Sequence, residues 1–222
     1  MSRIERERAG QIGPGDLRKV LSFEPVATSV RRGWEGLEVV HFRAAPAFEI
    51  DYVGQTHHGF TLFTRPPQEF ALRFEGLTRS VPPPAGSIIL VPAGIHVQAR
   101  SSGFKDVLHV FLEPAVVDRV AVEAFDLDPA RVLILPFDGQ QHPQLRAAML
   151  AVSAELTAEG GGERLAIESF ANVLAVHLLR HAATPRGVVR SPDGVLPQAS
   201  VNARRRRAAP RTGWRSCRWL TC

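Results

Sequence analysis

From Ser22 to Glu113 the chain is a succession of short apolar or alternating runs, each cut off by glycine or proline. The punctuation falls at Gly54, Pro66 and Pro67, Gly76, the Pro82 to Pro84 run with Gly86, Pro92 with Gly94, and Gly103. Proline has no amide hydrogen for a central ladder, so these positions bound strands and do not lie within them. The runs between them predict strands at Leu37 to Arg43, Phe48 to Tyr52, His58 to Thr64, Glu69 to Phe74, Ser87 to Val91, His96 to Arg100 and Val107 to Glu113. Many short strands at such spacing make an all-β sandwich or barrel.

After Glu113 the period changes. Pro114 suits the first turn of a helix, and Ala115 to Phe125 follows without a breaker. Arg131 to Phe137 is a brief extended apolar run. Two longer helical patterns follow, His142 to Glu159 and Glu163 to Ala183, joined at Gly160 to Gly162. In the first, Leu145, Met149, Val152 and Leu156 line one stripe; in the second, Ile167, Phe170, Leu174 and Leu178 do. The three glycines permit a reversal that makes the helices antiparallel neighbours, and the two stripes are the candidate dimerisation surface. The class expected is mainly β with C-terminal helices.

Length and charge then divide the chain. At 222 residues and 45% apolar content it holds one large domain or two small ones. No stretch reaches the roughly 18 apolar residues of a membrane span, and the leader over residues 1–21 begins with alternating Arg and Glu, so a cytoplasmic protein is expected. The only cysteines, Cys217 and Cys222, lie at the far end, which excludes a disulfide framework. The net charge of +5 is local: seven of the 27 basic residues follow Val201 with no acidic residue among them, leaving 20 against 22 acidic ones before it. Residues 184–200, rich in Pro and Gly, read as a linker. Residues 201–222 (VNARRRRAAPRTGWRSCRWLTC) have neither apolar periodicity nor acidic balance, and their arginines predict only salt-dependent, sequence-blind contact with nucleic acid.

One segment carries a resemblance. GSIILVPAGIH, Gly86 to His96, is similar to the second motif of the cupin barrels, in which a glycine is followed by five residues, proline, any residue, glycine, two residues and histidine. Gly86, Pro92 and Gly94 stand in place, but His96 comes one residue early. Because side chains alternate along a strand, that offset turns the imidazole away from the lumen. The first cupin motif is not met, since His57 and His58 are adjacent and Glu69 is distant. No metal and no cofactor are expected.

The wider arrangement resembles the N-terminal sensor and dimerisation module of AraC/XylS-type transcription regulators, over roughly Gly33 to Ser200. VGQTHHGFTLFTRPPQEFALRFEGLTRSVPPPAGSIILVPAGIHVQAR, AELTAEGGGERLAIESFANVLAVHLLRH and the linker ending LPQAS carry it. The resemblance implies a cupin-like barrel over 22–140 that senses a small effector, a helical dimerisation hairpin over 141–183, a homodimer, and DNA contact through a C-terminal helix-turn-helix domain. In place of that domain stands the basic tail, which predicts a chain cut short by a shifted frame or an early stop.

Polar groups among apolar walls are the candidates for effector contact: Tyr52, His58, Arg65, His96 and His109, with Arg73 and His41 behind them. No nucleophile elbow or phosphate loop is present, so no catalytic residue is named and a non-enzyme is expected. Two other readings stand beside it. One is a metal-dependent cupin enzyme, a dioxygenase or isomerase, using His57 or His58 with His96. The other is a stand-alone binding module that acts by mixed dimers.

Overall fold

The computed structural model describes residues 8–185, apart from 22, 66, 75, 76, 104 and 105. The basic tail over 201–222 and nearly all of the linker lie outside the described residues. The chain begins with β1 (Arg8–Ile12), a 3-10 turn at Pro14–Asp16 and the short helix α1 (Leu17–Leu21). There follow β2 (Ala27–Thr28), β3 (Leu37–Arg43), β4 (Phe48–Gln55), β5 (His58–Arg65), β6 (Phe70–Phe74) and β7 (Leu77–Arg79). Next come β8 (Ile88–Val91), β9 (Val97–Ser101), β10 (Asp106–Leu112) and α2 (Pro114–Phe125). The last elements are β11 (Val132–Ile134), β12 (Phe137–Gln140), α3 (Pro143–Glu155), α4 (Glu163–Ala182) and β13 (Ala183–Pro185).

The strands form a five-stranded sheet in the order β1-β4-β9-β6-β7 and a six-stranded sheet in the order β12-β8-β5-β10-β3-β2. All these pairings are antiparallel except β1 with β4, which is parallel. β11 and β13 form a small ladder of their own. The mainly β class with helices is as expected, while the cupin-like barrel that the resemblance implies is not closed. No strand of one sheet pairs with a strand of the other among the described residues, so the sheets join by side-chain packing as an open sandwich.

Strand alternation sets two cores on the two faces of the six-stranded sheet. Toward the other sheet it points Val40, Phe42, Phe63, Ile89, Val91, Val107 and Phe111, which pack against Phe48, Tyr52, Phe70, Leu72, Val97 and Ala99. On its opposite face Leu37, Val39, Phe60, Leu62, Ile88, Leu90, Leu108, Val110 and Leu112 pack under the helices. The described residues therefore form three layers: helices, six-stranded sheet, five-stranded sheet.

The helical layer also departs from the expected pair, because α4 packs on α2 as well as on α3. α2 starts with Pro114 at its first position, buries Val116, Val117, Val120 and Ala121, and stops at Asp126 in the left-handed conformation. Between α3 and α4, Gly160 (φ +122°) and Gly162 (φ +93°) take backbone angles that disfavour any side chain, which is how the chain turns back.

The stretch read as a leader contributes to the fold from Arg8 onward. β1 extends the five-stranded sheet, and Ile12, Leu17 and Leu21 are buried in the inter-sheet core.

A cavity between the sheets as the candidate functional site

β10 runs through the middle of the six-stranded sheet, with Val107, His109 and Phe111 on its inner side. His109 stands opposite Val40 of β3 and Thr61 of β5. Its Nδ1 lies 3.1 Å from the Thr61 hydroxyl, while its buried Nε2 has no hydrogen-bond partner among the described residues. The ring meets Phe42 edge-on at 5.7 Å and stacks near Phe111 at 6.1 Å. Burial, and then the neighbouring His41, hold its pKa down at about 3, so the imidazole is neutral at physiological pH.

His109 opens onto a cavity of about 70 Å³ between the sheets. Tyr52 and Gln55 of β4 and Thr61 of β5 supply the other polar groups of its wall, and the rest is apolar, including Leu17, Leu21, Phe63 and Phe70. Tyr52 is buried, and burial pushes its phenol well above the usual range, which keeps it protonated. The Gln55 amide donates to the Val91 carbonyl at 2.6 Å. Gly59 makes room for that side chain, since a Cβ there would come within 2.6 Å of Gln55 Nε2. At roughly 30 Å³ per water, the cavity has space for about two waters.

Of the sequence-predicted effector residues, the structure brings Tyr52 and His109 together at this cavity and leaves the others elsewhere. His58 shares the face of Phe60 and Leu62, turned away from the cavity; it is buried and accepts from the Ala93 amide at 3.2 Å. Its pKa falls to about 4 through burial and the adjacent His57. Arg65 is exposed at the end of β5. His96 lies on the outer face of the five-stranded sheet, 2.6 Å from Asp51 Oδ1. His41 pairs with Asp106 at 2.7 Å, and Arg73 is exposed on the outer face of β6. The early position of His96 in its motif thus has the consequence that alternation requires. Sequence reasoning missed Gln55, Thr61 and the α1 leucines. The parity of Thr61 with Phe63 was an available signal, whereas Gln55, out of parity with Phe48 and Tyr52, gave none.

The metal-enzyme alternative needs His57 or His58 to converge with His96, and they do not converge. His57 sits in the turn before β5, hydrogen-bonded to Thr56 at 2.7 Å, while His58 and His96 face outward from opposite sheets. Among the described residues no group of three or more His, Cys, Asp or Glu is placed to hold a metal ion.

The outer face of the five-stranded sheet carries a larger concavity, about 280 Å³, lined by Glu49, Asp51, Arg73, Gln98 and Arg100. It is open to solvent, and its acids and bases compensate one another: Glu49 stands opposite Arg100, and Gln98 donates to Asp51 at 3.0 Å. The interior cavity is the better candidate because it holds a polar atom with nothing to bond.

The candidate dimerisation residues are placed in the chain's own core. Leu145, Met149, Val152, Leu156, Ile167, Leu174 and Leu178 are all buried, beneath or between the helices and against the six-stranded sheet. Phe170 is half-buried at the edge of that core. Both stripes are therefore covered within one subunit, and the helical residues left exposed include Leu150, Leu165 and Val173.

Fold and site together define a two-sheet β-sandwich with a helical layer and a small cavity between the sheets. No protein-family model matches the chain, and no curated protein matches it. Among solved structures, the chain is similar to the AraC-like transcriptional activator CuxR, at 12% identity and a TM-score of 0.46, over 77% of this chain and 66% of that one. It thus spans just under two thirds of that structure, and a likeness this distant gives no residue a role. Among the described residues no helix is long and apolar enough to cross a membrane.

Proposed function

We propose that these residues are the effector-sensing and self-pairing part of an AraC-type regulator of transcription, acting in the cytoplasm. The observation that carries the sensing role is the buried, unpartnered Nε2 of a neutral, partly buried His109 at an apolar cavity. A buried donor or acceptor without a partner is costly, and a ligand that satisfies it recovers that cost. The same electrostatics favour binding over catalysis. A base with a pKa of about 3 and a phenol raised above its usual range are both far from the values that serve proton transfer at neutral pH. The sequence motif supports the reading too: Gly86 and Gly94 both hold φ of +80°, which explains glycine at these two places.

Pairing is proposed on the outward side of the helical layer, through Leu150, Leu165 and Val173, in place of the covered stripes. DNA contact is assigned to a separate helix-turn-helix part, as in regulators of that type.

A library of small metabolites screened by thermal denaturation tests the sensing role, with Ala99→Leu as the control. Ala99 lines the cavity, and the larger side chain fills it. Compounds that stabilise the wild type but not Ala99→Leu support the proposal. Stabilisation by every hit in both proteins, or no hit at all, refutes it.

A further inference from the structure

We infer that the cavity takes an uncharged, mostly apolar ring compound bearing a single hydroxyl, a phenol or a small arylalkanol, with that hydroxyl on His109 Nε2. The inference rests on the sensing role proposed above and adds the class of ligand.

Charge is the first restriction. No side chain lining the cavity is an acid, a lysine or an arginine. A carboxylate or ammonium group would enter without a counter-charge, in an environment that already keeps one imidazole neutral. Polarity is the second. Thr61 is engaged with His109 Nδ1 and the Gln55 amide is committed to the Val91 carbonyl, so beside His109 Nε2 the wall adds the Tyr52 phenol. A sugar or polyol would bring several hydroxyls against Phe63, Phe70, Phe111 and the two α1 leucines, where most would find no partner.

The hydroxyl follows from the histidine. If Thr61 donates to Nδ1, then Nε2 carries the hydrogen and is a donor; if Thr61 accepts, Nε2 is an acceptor. A hydroxyl both donates and accepts, so it satisfies either tautomer, whereas a ketone or an ether serves only one. A flat ring is the shape that suits a slot between two sheets walled by aromatic side chains.

Size sets the remaining condition. Benzene occupies an apolar cavity of about 150 Å³ in an engineered case, roughly twice the space here. The wall must therefore give, and Leu17 and Leu21 belong to a five-residue helix outside both sheets. Ligand entry accordingly depends on displacing α1 side chains and not on parting the sheets.

Calorimetric titration of the full chain at pH 7.5 with phenol, benzyl alcohol, toluene, benzoate and arabinose tests this. The expected result is saturable binding of phenol or benzyl alcohol at least tenfold tighter than benzoate or arabinose. Phenol should also be preferred over toluene by about tenfold, the factor that about 1.4 kcal/mol represents. His109→Leu should abolish the preference for phenol over toluene. Ala99→Leu, which keeps His109 and fills the cavity, should abolish binding of both and serves if His109→Leu does not fold. Benzoate or arabinose binding more tightly, with sensitivity to Ala99→Leu, overturns the ligand class and leaves the sensing role standing. The same holds if these five compounds fail while an unrelated metabolite binds with that sensitivity. Failure of every compound to bind in a manner sensitive to Ala99→Leu overturns both.

Discussion

Replacing His109 by glutamine keeps a polar group at similar reach but removes the one that titrates, and the effect can be worked out from the folded-state pKa. In the folded chain His109 has a pKa of about 3, against the ordinary 6.5 that it regains on unfolding. Between pH 6.5 and pH 3 the unfolded chain takes up a proton there that the folded chain refuses. Stability is thus fully present above pH 6.5 and is lost as pH falls toward 3. Each pH unit in that window costs about 1.4 kcal/mol, so the fall to pH 5 removes about 2 kcal/mol through this residue alone. That is a large part of the 5–15 kcal/mol that typically holds a domain together. His58, with its pKa at about 4, adds a loss of the same sign but is common to both proteins and cancels in the comparison. The measurement is urea unfolding at pH 7.5, 6 and 5, followed by fluorescence, for wild type and His109→Gln. The wild type should lose about 2 kcal/mol more than the variant between pH 7.5 and 5, with unchanged m values. Equal losses would mean that the imidazole is already solvated or charged, and the account of the cavity given above would be wrong.

Three further outcomes follow from the packing. Leu145→Asp places an unpaired charge in the core under the helices and should cost about 4 kcal/mol or more, seen as loss of the cooperative thermal transition. Leu165→Glu combined with Val173→Glu, at exposed positions of α4, should leave the melting temperature nearly unchanged while converting a dimer to monomer in sedimentation velocity; a wild type that is already monomeric at tens of micromolar refutes the pairing proposal. Gly103→Ala should lower stability by about 1–3 kcal/mol, since φ there is +116° and the added methyl collides with the Ala45 carbonyl oxygen, as a chemical denaturation midpoint will report.

Much of this architecture could be read from the sequence because two local rules act without reference to the rest of the chain. Glycine and proline mark where strands end, and the expected strand at Leu37 to Arg43 has the bounds of β3. Alternation then sorts faces: Tyr52 shares the parity of Phe48, and His109 that of Val107 and Phe111, so both reach the interior. The same rule carries His58 outward with Phe60, and His96 outward with Gln98 and Arg100. Choosing them as effector contacts weighed residue type above parity. Barrel closure was not legible, because it depends on which edge strands meet, a long-range matter that no local pattern records. Nor was the partner of the helical stripes. A period of 3.6 says that a face is covered and is silent on what covers it; here the chain's own sheet does. In the first 21 residues, the alternation of Arg and Glu masked the three apolar side chains, Ile12, Leu17 and Leu21, that tie this stretch to the core.

The six-stranded sheet is a party wall. Along β10, His109 and Phe111 face the space between the sheets, while Leu108, Val110 and Leu112 are the floor on which the helices rest. Neighbouring residues on that strand share peptide planes, so a shift of the His109 backbone tilts Leu108 and Val110 by the same rigid geometry. On the sensing role proposed above, the side chain that would meet an effector and those on which the helices rest are one residue apart on a single strand.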